Sequence, residues 1–223
     1  MEPLTVVALA AWGTVVGLDL ISFPQAMLNR PIVAATVAGA IAGDAQAGLR
    51  VGALLELFAL DVLPIGASRY PDYGPGAVVA AALAAHASWS MALGISAALG
   101  LLLALVGGRS VDLLRRINGR RVRRQEAGLV AGDPAVIRRL HLMSLATDLG
   151  RSLLLTLVGL AMVRPVAAFG ASLPLLDRSL TLTLVAGGIV AAIHGLMQRA
   201  RVGAPRNWLL AGLAAGVVVA WLA

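Results

Sequence analysis

Asp19, Gln25, Arg30, Asp44, Arg50, Glu56, Asp61 and Asp72 all fall within the first 72 residues, inside runs that are otherwise small and apolar. Carboxylates and amides accept and donate hydrogen bonds in fixed directions, so a convergence of such groups suits recognition of a polar solute. The competing reading is internal salt bridging, with Arg30 or Arg50 paired to a nearby acid, and for the arginines the two readings carry equal weight. Glu56 leans toward function. It lies one helical turn after Gly52, itself one turn after Gly48, so its carboxylate shares a face with two positions open to close approach by a ligand or a backbone. Ala35, Gly39 and Gly43 form a matching small-residue stripe on the preceding segment. Packing of two helices explains the glycines, but it does not explain the glutamate.

The remaining chemistry is sparse. The 223 residues contain no cysteine, which excludes disulfides, thiolate catalysis and cysteine-ligated metals. Hydrolase and phosphate-loop motifs such as HExxH, GxSxG and GxxxxGK[ST] are missing, and His86, His141 and His194 lack metal-ligand spacing. No cofactor or metal is expected, and an intramembrane enzyme ranks far behind a binding or transport role. Asp148 and Arg151, three apart, are expected to pair with each other.

The elements that must position these groups follow from composition. Hydrophobic residues make up 59% of the chain and charged residues 13%, and the mean hydropathy is +0.88, well outside the soluble globular range. The expected fold is an all-α polytopic integral membrane protein, a single transmembrane domain over residues 1–223. Apolar runs cover 4–21, 31–43, 47–63, 77–106, 152–170, 180–198 and 207–223. The last three match a bilayer core of about 30 Å, whereas 31–43 would rise only about 20 Å. The run 47–63 reaches spanning length only by including Arg50, Glu56 and Asp61. Residues 31–63, broken at Gly43-Asp44, therefore predict short discontinuous or re-entrant helices, tolerated at membrane depth only beside protein or a water-filled cavity. The run 77–106 is too long for one upright helix and predicts either a tilted helix or two elements broken near Gly94 or Gly100. The N-terminal run lacks the basic flank and cleavage site of a signal peptide and reads as a retained first helix.

Residues 107–141 hold nine arginines against Asp112, Glu126 and Asp133, leaving +6 of the total +7. The positive-inside rule makes this stretch a basic cytoplasmic loop. A second basic cluster, Arg199, Arg201 and Arg206, lies two spans later and returns to the same side. The intervening 171–179 connection, with Asp177 against Arg178, would face outward, as would the C-terminus. Topology and attraction to anionic membrane lipid account for such a segment without nucleic acid, and no nucleic-acid partner is expected.

The run "RPIVAATVAGAIAGDAQAGLRVGALLELFAL", continued by "PIGASRYPD", resembles the membrane component C of mannose/fructose/sorbose-type bacterial sugar phosphotransferase systems. Arg30-Pro31, Gly43-Asp44, Gly52 to Glu56, Ile65-Gly66 and Pro71-Asp72 carry the likeness in order and spacing. A looser similarity covers "IRRLHLMSLATDLGR", with His141 followed ten residues later by Arg151. The resemblance implies a sugar permease subunit of the bacterial cytoplasmic (inner) membrane. It would deliver sugar to the cytoplasmic face while partner components carry out the phosphoryl transfer. It further implies soluble components A and B, a membrane component D, and an oligomer in the form of a trimer of C and D pairs. Gln25, Glu56 and Asp72 are then the expected solute contacts, with Asp61 an additional carboxylate. Arg30 and Asp44 would hold the hairpin, and Arg50 belongs with these structural polar groups. Pro24, Ala26, Met27 and Pro64 stand where sugar-transporting members more often place polar groups. Two alternatives therefore stay open: an uncoupled member that moves another small polar solute, and a non-transport membrane scaffold.

Overall fold

A computed structural model describes residues 1–62, 69–87, 92–200 and 212, with side chains up to 198. Pro64 and Ile65-Gly66, Arg201, Arg206 and the expected span 207–223 lie outside the described residues. Eight helices are found among the described residues: α1 (Pro3–Asp19), α2 (Pro31–Ala42), α3 (Ala45–Ala59), α4 (Tyr73–His86), α5 (Leu93–Arg124), α6 (Glu126–Val130), α7 (Pro134–Ala171) and α8 (Pro174–Ala200). Three of them, α5, α7 and α8, are long and apolar enough to cross a membrane, and α1 and α2 are shorter apolar helices.

The short pair expected at 31–63 is present as α2 and α3, of 12 and 15 residues, which rise only about 18 and 22 Å. Their break follows from local chemistry. Gly43 ends α2 at φ +96°, a left-handed conformation that costs other residues about 1 kcal/mol or more. The Asp44 side chain then accepts the Ala47 N–H at 2.9 Å and caps α3. A Cβ on Gly43 would meet nothing within 4 Å, so the Gly43→Ala variant isolates the backbone cost. It is expected to lower the melting temperature by about 2 to 4 °C, the equivalent of about 1 kcal/mol in a chain of this size. Thermal unfolding of the detergent-purified protein measures it.

Across the hairpin the small residues meet directly. A Cβ on Gly39 would lie 2.8 Å from the Gly48 Cα, and one on Gly52 would lie 2.9 Å from the Ala35 Cβ. Against this hairpin lies α4, whose sequence YGPGAVVAAALAAH is almost entirely small, and every residue from Tyr73 to Leu83 is buried. It packs on α1, α2, α3, α5 and α7 and so forms the centre of the fold. Small side chains let the five neighbours approach a 14-residue helix from all directions.

The long run 77–106 is two elements, α4 and α5, and they separate just before Gly94 rather than at Gly100. The first turn of α5 is capped from a distance: buried Asp177, at the start of α8, accepts the Ile95 N–H at 2.8 Å. Asp177 is thus buried by its contact with α5.

Residues 107–141 are not a loop. Helix α5 runs through them to Arg124 and α7 begins at Pro134, leaving only a short turn around α6. Arginine is a good helix former, and charge alone gives a helix no reason to stop. The stop is Gly132-Asp133-Pro134, with Gly132 at φ +70° and the Asp133 side chain accepting the Ala135 N–H at 2.8 Å. With 32 and 38 residues, α5 and α7 rise about 48 and 57 Å, so their arginine-bearing ends outreach a hydrocarbon core of about 30 Å.

Candidate functional site

The segment between α1 and α2 is organised by one carboxylate. Asp19, the last residue of α1 and buried, accepts the Ala26 N–H at 2.6 Å and the Asn29 N–H at 3.0 Å. The segment makes no regular ladder, so these amides need a side-chain acceptor, and an ionised one is the strongest available. The turn is tight enough to place Gln25 and Met27 at φ 58° and 63°. Asn29 ties it down further, its amide donating to Val16 O at 3.2 Å and to Asp72 Oδ1 at 3.1 Å.

Behind this segment lies a buried ionic cluster. Arg151 of α7 donates from Nη1 to Asp72 Oδ2 and from Nε to Asp148 Oδ1, both at 2.8 Å. The same guanidinium reaches Ser110 Oγ at 3.1 Å and Gly17 O at 3.3 Å. Asp148 also accepts from Ser22 Oγ at 2.5 Å, and the Asp72 backbone N–H donates to Ala104 O at 2.9 Å. The side chains of Asp72, Asp148 and Arg151 are 0%, 1% and 8% exposed, so these charges depend on one another rather than on water. Four parts of the chain meet here: the end of α1, the lead-in to α4, the middle of α5 and α7. The expected Asp148–Arg151 pair is present; its link to Asp72, 79 residues away, is what sequence spacing did not reveal.

The second polar centre is more open. Arg30 at the N-cap position of α2 pairs with Glu56 of α3. Glu56 also accepts the Ile32 N–H at 3.2 Å and so meets an unsatisfied amide at the positive end of α2. The two side chains are 34% and 16% exposed, within reach of a solute. Arg30 therefore realises the salt-bridge reading, and its partner is the glutamate that helix packing left unexplained. Arg50 does not pair with an acid: it is exposed and makes no ion pair among the described residues. Six residues before Glu56 it projects about 240° around α3, away from that partner.

The four expected solute contacts do not form one cluster. Gln25 is exposed on the segment that runs into α2, and Glu56 lies against the first turn of α2. Asp72 is fully buried with both carboxylate oxygens engaged, and it braces the segment from behind. Asp61 turns toward α8, where it lies 2.7 Å from His194 Nδ1, and Gln198 Nε2 is 3.2 Å from the other ring nitrogen. Sequence reasoning did not single out Ser22 or Asn29 and gave Asp19 no specific role. The available signal was Asn29 directly before Arg30-Pro31, a polar residue at a helix entrance.

Comparison with known proteins gives a consistent result. Residues 3–197 match the family model described as the phosphotransferase system sorbose-specific IIC component. The fructose permease IIC component of Bacillus subtilis is 27% identical over 195 residues, covering 86% of this chain and 70% of that protein. The sorbose-specific EIIC component of Klebsiella pneumoniae is 31% identical over 99 residues, covering 44% of this chain and 37% of that protein. Among solved structures, a membrane protein superposes with a TM-score of 0.73 at 20% identity, covering all of this chain and 96% of the other. A cryo-EM structure of the mannose transporter ManYZ with microcin E492 gives 0.64 at 22% identity, covering all of this chain and 88% of the other. At these identities the two superpositions establish the fold.

Proposed function

Because the chain belongs to the sorbose-type IIC family, the sugar permease subunits of bacterial phosphotransferase systems, we propose that it binds its sugar on the surface formed by segment 20–30 and the Arg30–Glu56 pair. The observation that carries this reading is that pair's position: charged, partly exposed, and set at the mouth of a helix too short to span a membrane. A sugar offers hydroxyls that both donate and accept. Arg30 supplies a donor fork, Glu56 an acceptor and Gln25 one of each. Asp72 positions the segment and does not touch the sugar. Relatives named for fructose, sorbose and mannose make a hexose the first class to try.

The protein is a multi-pass membrane transport subunit and not itself the phosphorylating enzyme in this reading. Soluble components A and B would carry the phosphoryl group, component D would pair with this chain in the inner membrane, and the assembly would be trimeric. The arginine-rich ends of α5 and α7, with their +6, would face the cytoplasm, where sugar is delivered. Alternating access around broken helices supplies the movement.

Thermal unfolding of the purified full chain with fructose, sorbose or mannose tests the site. At tenfold the dissociation constant, one of them is expected to stabilise by about 1.4 kcal/mol, a rise of about 3 to 6 °C. Glu56→Gln should abolish the shift. Gln25→Ala, at an exposed position that supports no packing, should reduce it while leaving the unliganded melting temperature unchanged. A panel in which no sugar moves the wild type would favour the scaffold reading, and a shift retained in both variants would place the sugar elsewhere.

A further inference from the structure

Beyond the sugar surface, we propose that a cleft between α5 and residues 69–71 is a binding site for a phosphate group, held by Arg69, Arg109 and Arg116. The cleft measures about 470 Å³ and is lined by these three arginines, by Asp112 and by Tyr70. Arg109, Asp112 and Arg116 lie at i, i+3 and i+7 of α5 and so share one face.

The opposite wall is close because α5 lacks side chains where it passes. A Cβ on Gly107 would lie 2.9 Å from the Asp72 Cβ, and one on Gly108 would overlap the Tyr70 carbonyl and come within 3.1 Å of the Pro71 Cα. Tyr70 is buried and fixed: its hydroxyl accepts from Arg115 Nη2 at 2.8 Å, and the Arg115 guanidinium stacks 5.1 Å from its ring centre. The wall is therefore a built feature continuous with the Asp72 anchor, unlike a charged helix face open to water.

The charges in the cleft do not balance. Asp112 is already engaged, 3.2 Å from Arg69 Nε and 3.8 Å from Arg115 Nη1. Arg109 and Arg116 are exposed and make no ion pair or hydrogen bond among the described residues. Three lining arginines against one aspartate leave +2, which matches a phosphomonoester of about −1.5 to −2 and is more than enough for the single negative charge of a lipid phosphodiester. Guanidinium groups match phosphate oxygens with paired N–H donors, which ammonium groups do not. Leu105 and Leu113, each 58% exposed, border the cleft and give an apolar rim for whatever carries the phosphate.

A second arginine-lined groove, about 300 Å³ between the end of α5 and the start of α7, supplies the internal control. There Arg121 is committed to Asn118 Oδ1, Met143 O and Thr147 Oγ1, while Arg124 and Arg139 are as exposed and as free of ion pairs among the described residues as Arg109 and Arg116, so the groove matches the cleft in arginine content and differs in lacking the wall built on Tyr70 and Pro71.

The test uses the purified full chain in detergent. Inorganic phosphate, against potassium chloride of equal ionic strength, probes a water-borne phosphate; phosphatidylglycerol, against phosphatidylcholine, probes a lipid headgroup. At least one is expected to raise the melting temperature in a saturable way, and the responding probe identifies the source. R109Q/R116Q should weaken the apparent affinity at least tenfold, and R124Q/R139Q should leave it unchanged. Stabilisation by sugar should survive in R109Q/R116Q, which separates failure of this site from failure of the sugar surface. The proposal is overturned if neither probe acts on the wild type, if R109Q/R116Q keeps the response, or if the response follows R124Q/R139Q.

Discussion

Arg151→Met is expected to be the most damaging single replacement of a charged residue in this protein. It removes the one cation between Asp72 and Asp148, whose carboxylates are buried and separated from Arg151 by 2.8 Å each. Breaking a buried ionic contact by deleting one partner costs about 3 to 5 kcal/mol, because the remaining charge has neither water nor a counter-ion. Two carboxylates are stranded here, so the upper end of that range applies. At about 2 to 4 °C per kcal/mol the melting temperature should fall by about 10 °C or more, and much of the protein should be lost as aggregate on extraction. Size-exclusion yield and thermal unfolding in detergent are the measurements. The triple variant Asp72→Asn, Asp148→Asn, Arg151→Met removes all three charges and should recover a substantial part of the loss. A single Arg151→Met variant as stable as the wild type would mean that the cluster does not hold the fold together.

That cluster also marks how far sequence reading reached. Asp148 and Arg151 are three residues apart, and helical geometry alone puts them on one face. Asp72 joins them across 79 residues, and no local pattern encodes such a contact. The same contrast holds for the hairpin. Gly43-Asp44 and the glycine stripes are local signals, and the break, the cap and the close packing were all legible. The meeting of Arg30 with Glu56 was legible only as a class of outcome, since several acids were equally available to the arginines. The arginine-rich stretch differs for another reason: charge density does not mark a loop, because arginine propagates helices and the stop is Gly132-Asp133-Pro134. Asp177 shows the limit most plainly. Nothing local to Asp177 and Arg178 points to the α5 amide of Ile95, which only the folded chain brings to it.

Taken together, the two polar centres divide the work by burial. The Asp72, Asp148 and Arg151 side chains are at most 8% exposed and consume their hydrogen bonds internally, so they can fix geometry but cannot exchange partners with a solute. The Arg30–Glu56 pair keeps exposed surface and stands at the end of the segment that the first cluster braces through Asn29. Rigid support behind an accessible polar pair is the arrangement that lets a binding surface retain its shape.

Gly48→Val carries the second large expected effect, and it tests whether the α2–α3 hairpin must be closed for that surface to exist. A Cβ at Gly48 would overlap the Ala35 carbonyl and lie 2.9 Å from the Gly39 Cα. Both obstacles are backbone, so no rotamer change relieves them and the helices must separate. Overpacking of this kind costs about 1 to 3 kcal/mol where neighbours can shift; between two facing backbones the cost should exceed that, about 3 kcal/mol or more. Separation also pulls Glu56 away from the α2 amide at Ile32, so sugar stabilisation should disappear together with stability. Gly187→Val provides the contrast, since a Cβ there would come no closer than 3.7 Å to the Phe58 ring. The comparison is read as melting temperature with and without sugar: Gly187→Val within a few degrees of wild type in both, Gly48→Val lowered by about 6 °C or more and unresponsive. If Gly48→Val kept the wild-type melting temperature and its sugar response, close contact between α2 and α3 would not be what holds Arg30 and Glu56 in place.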